Sequence, residues 1–331
     1  MTDVAVLGSG IIGLWTAEVL AEAGHRVTVL SRTDAVSSTS AAAAAVLVPL
    51  LPGDPTSLPF QRGVRWADET LWHVQAHEAD HKAIELMPCF EFGVRETVEY
   101  GFALKNLTHL AFSEFLIVEL AAPVAGFDVA LKFDCHLCHS RVYLEWLSAR
   151  LADAGVAFRS LSIRSRADLT VLDQPVVFNC LGYQRIFEDD ELVPVLGQSI
   201  YIEARTSGGA FGLGAGPHAV FQHRRGFHIG AHFRPGDVAS SPRRDLYEES
   251  VAFVADAFPR LCRSVGVSPP VLDLTAATRV NAGVRPLRAS GPRVEVEVLG
   301  KKTVVHHYGH GAHGWTLGYG SALEAVRLSG V

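Results

Sequence analysis

Sulfur, basic charge and long apolar runs are all scarce in this chain. Five cysteines (Cys89, Cys135, Cys138, Cys180 and Cys262) and two methionines occur among 331 residues. Cysteines so few and so scattered exclude a disulfide framework and read as reduced, mostly buried thiols. Cys135-His136-Leu137-Cys138-His139 is a literal C-x-x-C-H, the spacing of covalent haem attachment, yet no export signal accompanies it and only Met1 and Met87 offer a thioether. A zinc site or a redox pair is the other reading of that spacing. Basic residues number 29 against 35 acidic, a net charge of −6, which leaves no basic stripe for a nucleic acid backbone. Apolar runs stop short of the roughly 18 to 20 residues of a membrane span. The N-terminus lacks the basic, apolar, small-residue order of a secretory signal. These absences point to a cytoplasmic protein that binds neither nucleic acid nor membrane. The histidines show no H-x-x-E-H or H-E-x-x-H spacing, and adjacent His306 and His307 on one predicted strand face opposite ways, so no metal is expected. No G-x-S-x-G nucleophile turn occurs.

The 48% apolar content is ample for a large core, and the length allows two domains. Residues 1 to 31 carry the clearest pattern. Val4 to Leu7 reads as a buried strand, Ile12, Trp15, Val19 and Leu20 mark a helix that Gly24 ends, and Val27 to Leu30 is the next strand. This is a βαβ unit and predicts a parallel sheet. A similar pattern returns mid-chain, with a helix around Tyr143 to Leu151, a strand over 156–163 and another over Val176 to Cys180. Segments 60–130 and 190–284 instead alternate short aromatic and β-branched runs with Pro and Gly, which predicts an antiparallel sheet with a few helices.

Gly8-Ser9-Gly10-Ile11-Ile12-Gly13 is G-x-G-x-x-G directly after a strand and opening a helix. Its first two glycines let backbone approach a pyrophosphate at the helix start, and the third lets helix pack on strand. The end of the second strand reads Ser31-Arg32-Thr33, with no acid for a ribose hydroxyl. A hydroxyl followed by Arg suits the 2′-phosphate of NADP; equally, Arg32 lies over an adenine and Ser31 bonds a ribose. Ser38-Thr39-Ser40, followed by Ala41 to Ala45, suits a second phosphate-facing helix start in which small residues leave room for a ligand. Near the end, Tyr308 to Gly320 (YGHGAHGWTLGYG) holds five glycines in thirteen positions between a strand and a helix. Such density reads either as an ordinary turn or as backbone in close contact with a ligand.

Taken together, GSGIIGL, VYLEWLSARLADAGV with VVFNCLG, PVLGQ, NAGVRPLR and VVHHYGHGAHGWTLGYGSALEA resemble the D-amino-acid oxidase family of FAD enzymes. The order and spacing match along almost the whole chain, most weakly over about 60–130 and 200–270. The resemblance implies an α/β fold: a Rossmann-type FAD-binding domain from residues 1–60, 131–185 and 285–331, with an inserted α+β substrate domain from 61–130 and 186–284 built on an antiparallel sheet. It implies FAD contacts from Gly8, Gly10, Ile11, Ile12, Gly13, Ser31, Arg32, Ser38, Thr39, Ser40, Ala44, Ala45, Ile163 and Gly182. Gly311, Ala312, His313, Gly314, Trp315 and Thr316 are implied as a wall of N–H donors beside the ring, where negative charge collects on reduction. On this reading the glycines serve contact with the cofactor. Arg285 is implied as the clamp on a substrate α-carboxylate, and the Ala312 carbonyl as the acceptor for its amine.

The implied reaction is oxidative deamination of a D-amino acid by hydride transfer to the flavin, with O₂ as acceptor and hydrogen peroxide, ammonia and a 2-oxo acid as products. Any oligomer is expected to be a homodimer. Glycine, an N-methyl amino acid or a biosynthetic amine are the alternative substrates, and an NADP(H)-binding redox sensor is the alternative of another class. The chain departs from the family in having no Tyr between Tyr201 and Tyr247, where AVFQHRRGFHIGAHF offers His223, Arg224, Arg225 and His228. These four either meet an acidic or large substrate or carry solvated charge. His313 stands where the family often has Tyr.

Overall fold

The computed structural model describes residues 1–48, 57–78, 82–96, 115–206, 209–230, 232–239 and 241–331. The chain opens as the apolar pattern predicts, with β1 (Asp3–Leu7), α1 (Ile11–Glu22) and β2 (Arg26–Ser31), the two strands pairing in parallel. Val4 to Leu7 are fully buried, the mark of a parallel strand covered on both faces. There follow α2 (Thr39–Ala42), β3 (Val46–Leu47), α3 (Leu58–Ala76), β4 (Ile84–Gly93), β5 (Leu116–Val124), β6 (Phe127–Cys138), α4 (Ser140–Asp153), β7 (Ala157–Ser160) and β8 (Val176–Asn179). The chain continues through β9 (Leu192–Glu203), β10 (Phe211–Ala215), β11 (His218–His223), β12 (Gly226–Gly230), β13 (Arg234–Pro235), α5 (Arg244–Ala255) and α6 (Ala257–Ser264). It ends with β14 (Arg279–Arg288), β15 (Arg293–Leu299), β16 (Lys302–Tyr308) and α7 (Gly314–Ser329).

Two sheets result. The first has the order β15-β16-β8-β1-β2-β7 and is parallel except for the β15–β16 hairpin. The second has the order β13-β9-β12-β11-β10-β4-β6-β3, with β14 added on β9 and β5 on β6. It is antiparallel apart from the parallel β10–β4 pair. The fold is thus mixed α/β, a Rossmann-type sheet drawn from discontinuous segments together with an inserted sheet.

The structure moves several expected boundaries. Residues 131–138 lie in β6 and residues 285–288 in β14, so ladder pairing places both stretches in the second sheet. Helix α3, expected within the inserted part, is tied to α7. Its Trp66 indole donates to Glu324 at 2.7 Å, and the Gly320 N–H of α7 donates to Thr70 Oγ1 at 3.0 Å. The strand expected over 156–163 stops at Ser160, where its partner β2 also ends. Residues 97–114, in the stretch of weakest resemblance, lie outside the described residues.

An aromatic knot fixes α1, α4 and α7 relative to one another. Trp15 meets Tyr143 and Trp315 edge-on, at centroid distances of 6.1 and 5.7 Å, and its indole donates to the Tyr143 hydroxyl at 3.2 Å. The first turns of α1 and α7 are thereby held side by side, so close that a Cβ on Gly314 would touch Ile12 at 3.9 Å. Among the described residues no helix is long and apolar enough to cross a membrane.

Candidate active site

A cleft of about 490 Å³ opens between the two sheets. It is lined by Gly8, Gly10, Ile11 and Ile12 of the first turn, Ser31 and Arg32 at the end of β2, Ser38, Thr39, Ser40 and Ala44, Gly182, Arg285, and Gly311, Ala312, Gly314 and Trp315. Residues spread over more than 300 positions of sequence thus share one wall, most of them just past a strand end or at the opening of a helix, with Arg285 projecting from within β14.

The first turn is shaped for a pyrophosphate. Gly8 has φ +101°, and a Cβ there would stand 2.6 Å from the Cys180 carbonyl oxygen, so only glycine fits. A Cβ on Gly13 would run into the Gly8 carbonyl, which makes Gly13 a helix-on-strand packing residue behind the cleft. Helix α1 begins without a side-chain cap at Gly10. Ser40 lines the cleft, but its hydroxyl oxygen already accepts the Ile11 N–H at 3.0 Å, so part of its expected role is to brace the turn. Ser38 donates to the Ala35 carbonyl at 2.6 Å, and Ser31 to the Thr33 carbonyl at 2.7 Å. Arg32 is exposed at the cleft rim.

Besides Gly13, four expected contacts stand off the cleft wall. Ala45 is buried with φ +56°, and Ile163 is buried in an apolar cluster with Leu7 and Leu30. The Ile163 carbonyl accepts the side-chain amide of Gln184, which does line the cleft. Thr316 is buried and its N–H donates to the His313 carbonyl at 3.0 Å, so that donor is consumed inside the first turn of α7. His313 is the N-cap residue of this helix and is also outside the lining.

The glycine-rich stretch serves two purposes, not the one expected. Gly309 and Gly311 have φ of +92° and +56° and form the turn beside the cleft. A Cβ on Gly318 would stand 2.7 Å from the Trp15 ring, and one on Gly320 would strike the Trp66 carbonyl. These last two glycines let α7 pack against α1 and α3, away from any ligand. Among the described residues the N–H groups of Ala312, Gly314 and Trp315 find no backbone acceptor, and α7 has no side-chain cap. Unmet donors at a helix start make a fixed positive end facing the cleft. Trp315 secures it by donating its indole N–H to the Ser40 carbonyl at 3.2 Å.

Arg285 stands on β14, opposite Val195 of β9, and its guanidinium lies across the face of Gly197. Nη1 donates to the His232 carbonyl at 2.7 Å, and no described carboxylate pairs with the group. Burial lowers its pKa, but arginine stays charged. A half-buried guanidinium with one backbone partner and no counter-ion among the described residues has paired donors free for a ligand anion. Arg288, three residues on, is structural: its Nε lies 2.9 Å and its Nη2 3.2 Å from the carboxylates of Asp189 and Glu191.

The four polar groups of the β11–β12 hairpin separate. Arg224 is drawn onto Glu85, with Nε 2.8 Å from the carboxylate, and donates to the Ile84 carbonyl at 2.7 Å. Burial works against ionising Glu85, but bonds from His139 and Arg224 hold its carboxyl down at about 2. His223 and Arg225 line an adjoining cavity, and only His228 reaches the cofactor cleft. Burial, reinforced by Arg279 and Arg285, pushes the His228 imidazole down to about 4, so it is neutral at physiological pH. No tyrosine of this hairpin replaces the missing ones; Phe221, His228 and Gly230 are what it presents to the cleft. Gly197, Gln198 and Phe221 line the cleft without having been singled out from sequence, although PVLGQ contains the first two. All five cysteines are free and buried, and burial pushes the cleft-lining Cys180 thiol up to about 12, which disqualifies it as a neutral-pH nucleophile.

Residues 3–328 match the DAO family, described as FAD dependent oxidoreductase. The chain is 30% identical to a D-amino-acid oxidase from Streptomyces coelicolor, across 99% of this chain and 96% of that protein. It is 29% identical to a D-aspartate oxidase from Homo sapiens, across 98% and 94%. The solved structure of glycine oxidase from Geobacillus kaustophilus is similar in fold, with a TM-score of 0.75 at 17% identity over 100% of this chain and 95% of that one. The glycine cradle and the unmet helix-start donors fit FAD, and the NADP reading of Ser31-Arg32 gives way to it. This chain belongs to the DAO family of FAD-dependent oxidoreductases.

Proposed function

We propose that the protein oxidatively deaminates a D-amino acid to the 2-oxo acid and ammonia, with O₂ as acceptor and hydrogen peroxide as its product. The observation that carries this reading is Arg285, a half-buried cation without a described counter-ion, facing the same cleft as the N–H groups of Ala312, Gly314 and Trp315, which have no described acceptor. A guanidinium presents paired donors to both oxygens of an α-carboxylate and so fixes which substituent of Cα faces the cofactor. FAD supplies the two-electron acceptor for the Cα–H bond and the onward reaction with O₂. The N–H groups of Ala312, Gly314 and Trp315 are fixed donors for negative charge that develops during turnover, and the Ala312 carbonyl holds the substrate amine. Phe221, Gly230 and neutral His228 favour an uncharged side chain over an acidic one, because Arg224 is already committed to Glu85. Two relatives named for D-substrates support the D-enantiomer.

The test is product analysis with FAD-loaded protein and a panel of D- and L-amino acids. Matched formation of 2-oxo acid, ammonia and hydrogen peroxide from at least one D-amino acid, with none from its L-enantiomer, is expected. Oxo acid formed without peroxide would instead identify a dehydrogenase, and turnover restricted to glycine or N-methyl amino acids would move the substrate assignment.

A further inference from the structure

A second cavity, of about 220 Å³, adjoins the cofactor cleft and shares only Ala44 and His228 with it. The two are parted where α2 crosses the second sheet. A Cβ on Gly283 would meet the Thr39 methyl at 3.0 Å, and the Ser199 hydroxyl donates to the Ala42 carbonyl at 3.1 Å. Arg279 and Arg285 lie on the same face of β14, separated by roughly 20 Å of strand, with this crossing between them. A short substrate held by Arg285 therefore does not extend to Arg279.

The second cavity is cationic, and its donors are unmet. Arg225 and Arg279 both line it, each has a buried Nε with no acceptor, and no described carboxylate pairs with either. One ring sets both: Arg279 stacks 4.4 Å over Tyr201, whose hydroxyl donates to the Arg225 carbonyl at 3.2 Å. Glu145 and Glu203 also line the cavity, but both residues are exposed. His139, His223 and His228 complete the wall. Burial and the neighbouring cations lower the pKa of all three, His223 to about 3 and His228 to about 4, so they add hydrogen-bonding groups rather than charge. A buried guanidinium Nε without an acceptor is costly, and a small oxyanion supplies what both side chains lack.

We propose that this cavity is a binding site for a small phosphate-type oxyanion, separate from the α-carboxylate site at Arg285. His228 lines both cavities and stands between the two sites.

The test is calorimetric titration of inorganic phosphate into FAD-loaded protein at constant ionic strength, with chloride as the balancing anion. Saturable one-site binding is expected in the wild type and at least a tenfold weakening in Arg279→Gln and in Arg225→Gln. Arg244→Gln, at a side chain 90% exposed, is expected to change nothing. Arg279→Lys keeps the charge and should retain measurable binding, which covers a failure of the Gln variant to fold. Absence of saturable binding, or binding indifferent to both substitutions, overturns the proposal. So does loss of affinity for acidic D-amino acids alone in Arg279→Gln without phosphate binding, since the cavity would then belong to the substrate. Titration reads binding and not turnover, so its outcome is independent of the reaction proposed above.

Discussion

Arg285→Ala is expected to lower kcat/KM for the amino acid by about 10²- to 10⁴-fold while leaving FAD content and the flavin spectrum unchanged. The side chain donates to a single backbone carbonyl, that of His232, and neither the first turn nor the start of α7 depends on it. What disappears is the paired, charge-assisted grip on the carboxylate, and with it the orientation of the Cα–H bond. Arg285→Lys restores charge without the planar fork and should fall between the two. Steady-state kinetics beside an absorption spectrum separates the possibilities. An alanine variant with full activity would show that the clamp lies elsewhere.

Gly197→Ala is expected to produce a similar loss through a residue that contributes no functional group. A methyl at position 197 would occupy the space now taken by Cζ and both terminal nitrogens of Arg285. Position 197 is paired with Gly283 in the β9–β14 ladder, so backbone cannot readily yield, and the guanidinium must swing away. Activity is expected to fall by about 10²-fold or more, with only a modest effect on stability because the displaced group is the end of a flexible side chain. Combining Gly197→Ala with Arg285→Ala should cost no more than Arg285→Ala alone, since both act on one interaction. Additive losses in that double variant would mean that Gly197 acts on something other than Arg285.

Much of the cofactor cleft was legible in the sequence because its parts are local. Gly8-x-Gly10 follows an apolar strand and opens a helix, and a βα turn of that kind is written within a dozen residues. Arg285 was legible through its flanking Gly283 and Pro286 and through the resemblance they carry. The rest depends on neighbours far apart in the chain. Nothing local says that Gly318 and Gly320 make room for Trp15 and Trp66, so all five late glycines read alike. Arg224 looks like one of a pair of free cations with Arg225, until Glu85, 139 positions earlier, is brought against it by the second sheet. Arg279 reads as an ordinary strand residue until the packing of α2 on Gly283 closes off a cavity around it. Domain edges shifted for a similar reason: β6 and β14 run past the expected boundaries because their ladder partners, β4 and β9, hold them in the second sheet.

The most direct test of the account is anaerobic addition of single amino acids to the FAD-loaded protein while its absorption spectrum is followed. Bleaching of the flavin bands by at least one D-amino acid, not by its L-enantiomer, with recovery on admitting O₂, is the predicted result. A flavin that binds but stays oxidised with every D-amino acid, while an amine without a carboxylate bleaches it, would contradict the role assigned to Arg285 and the reaction built on it.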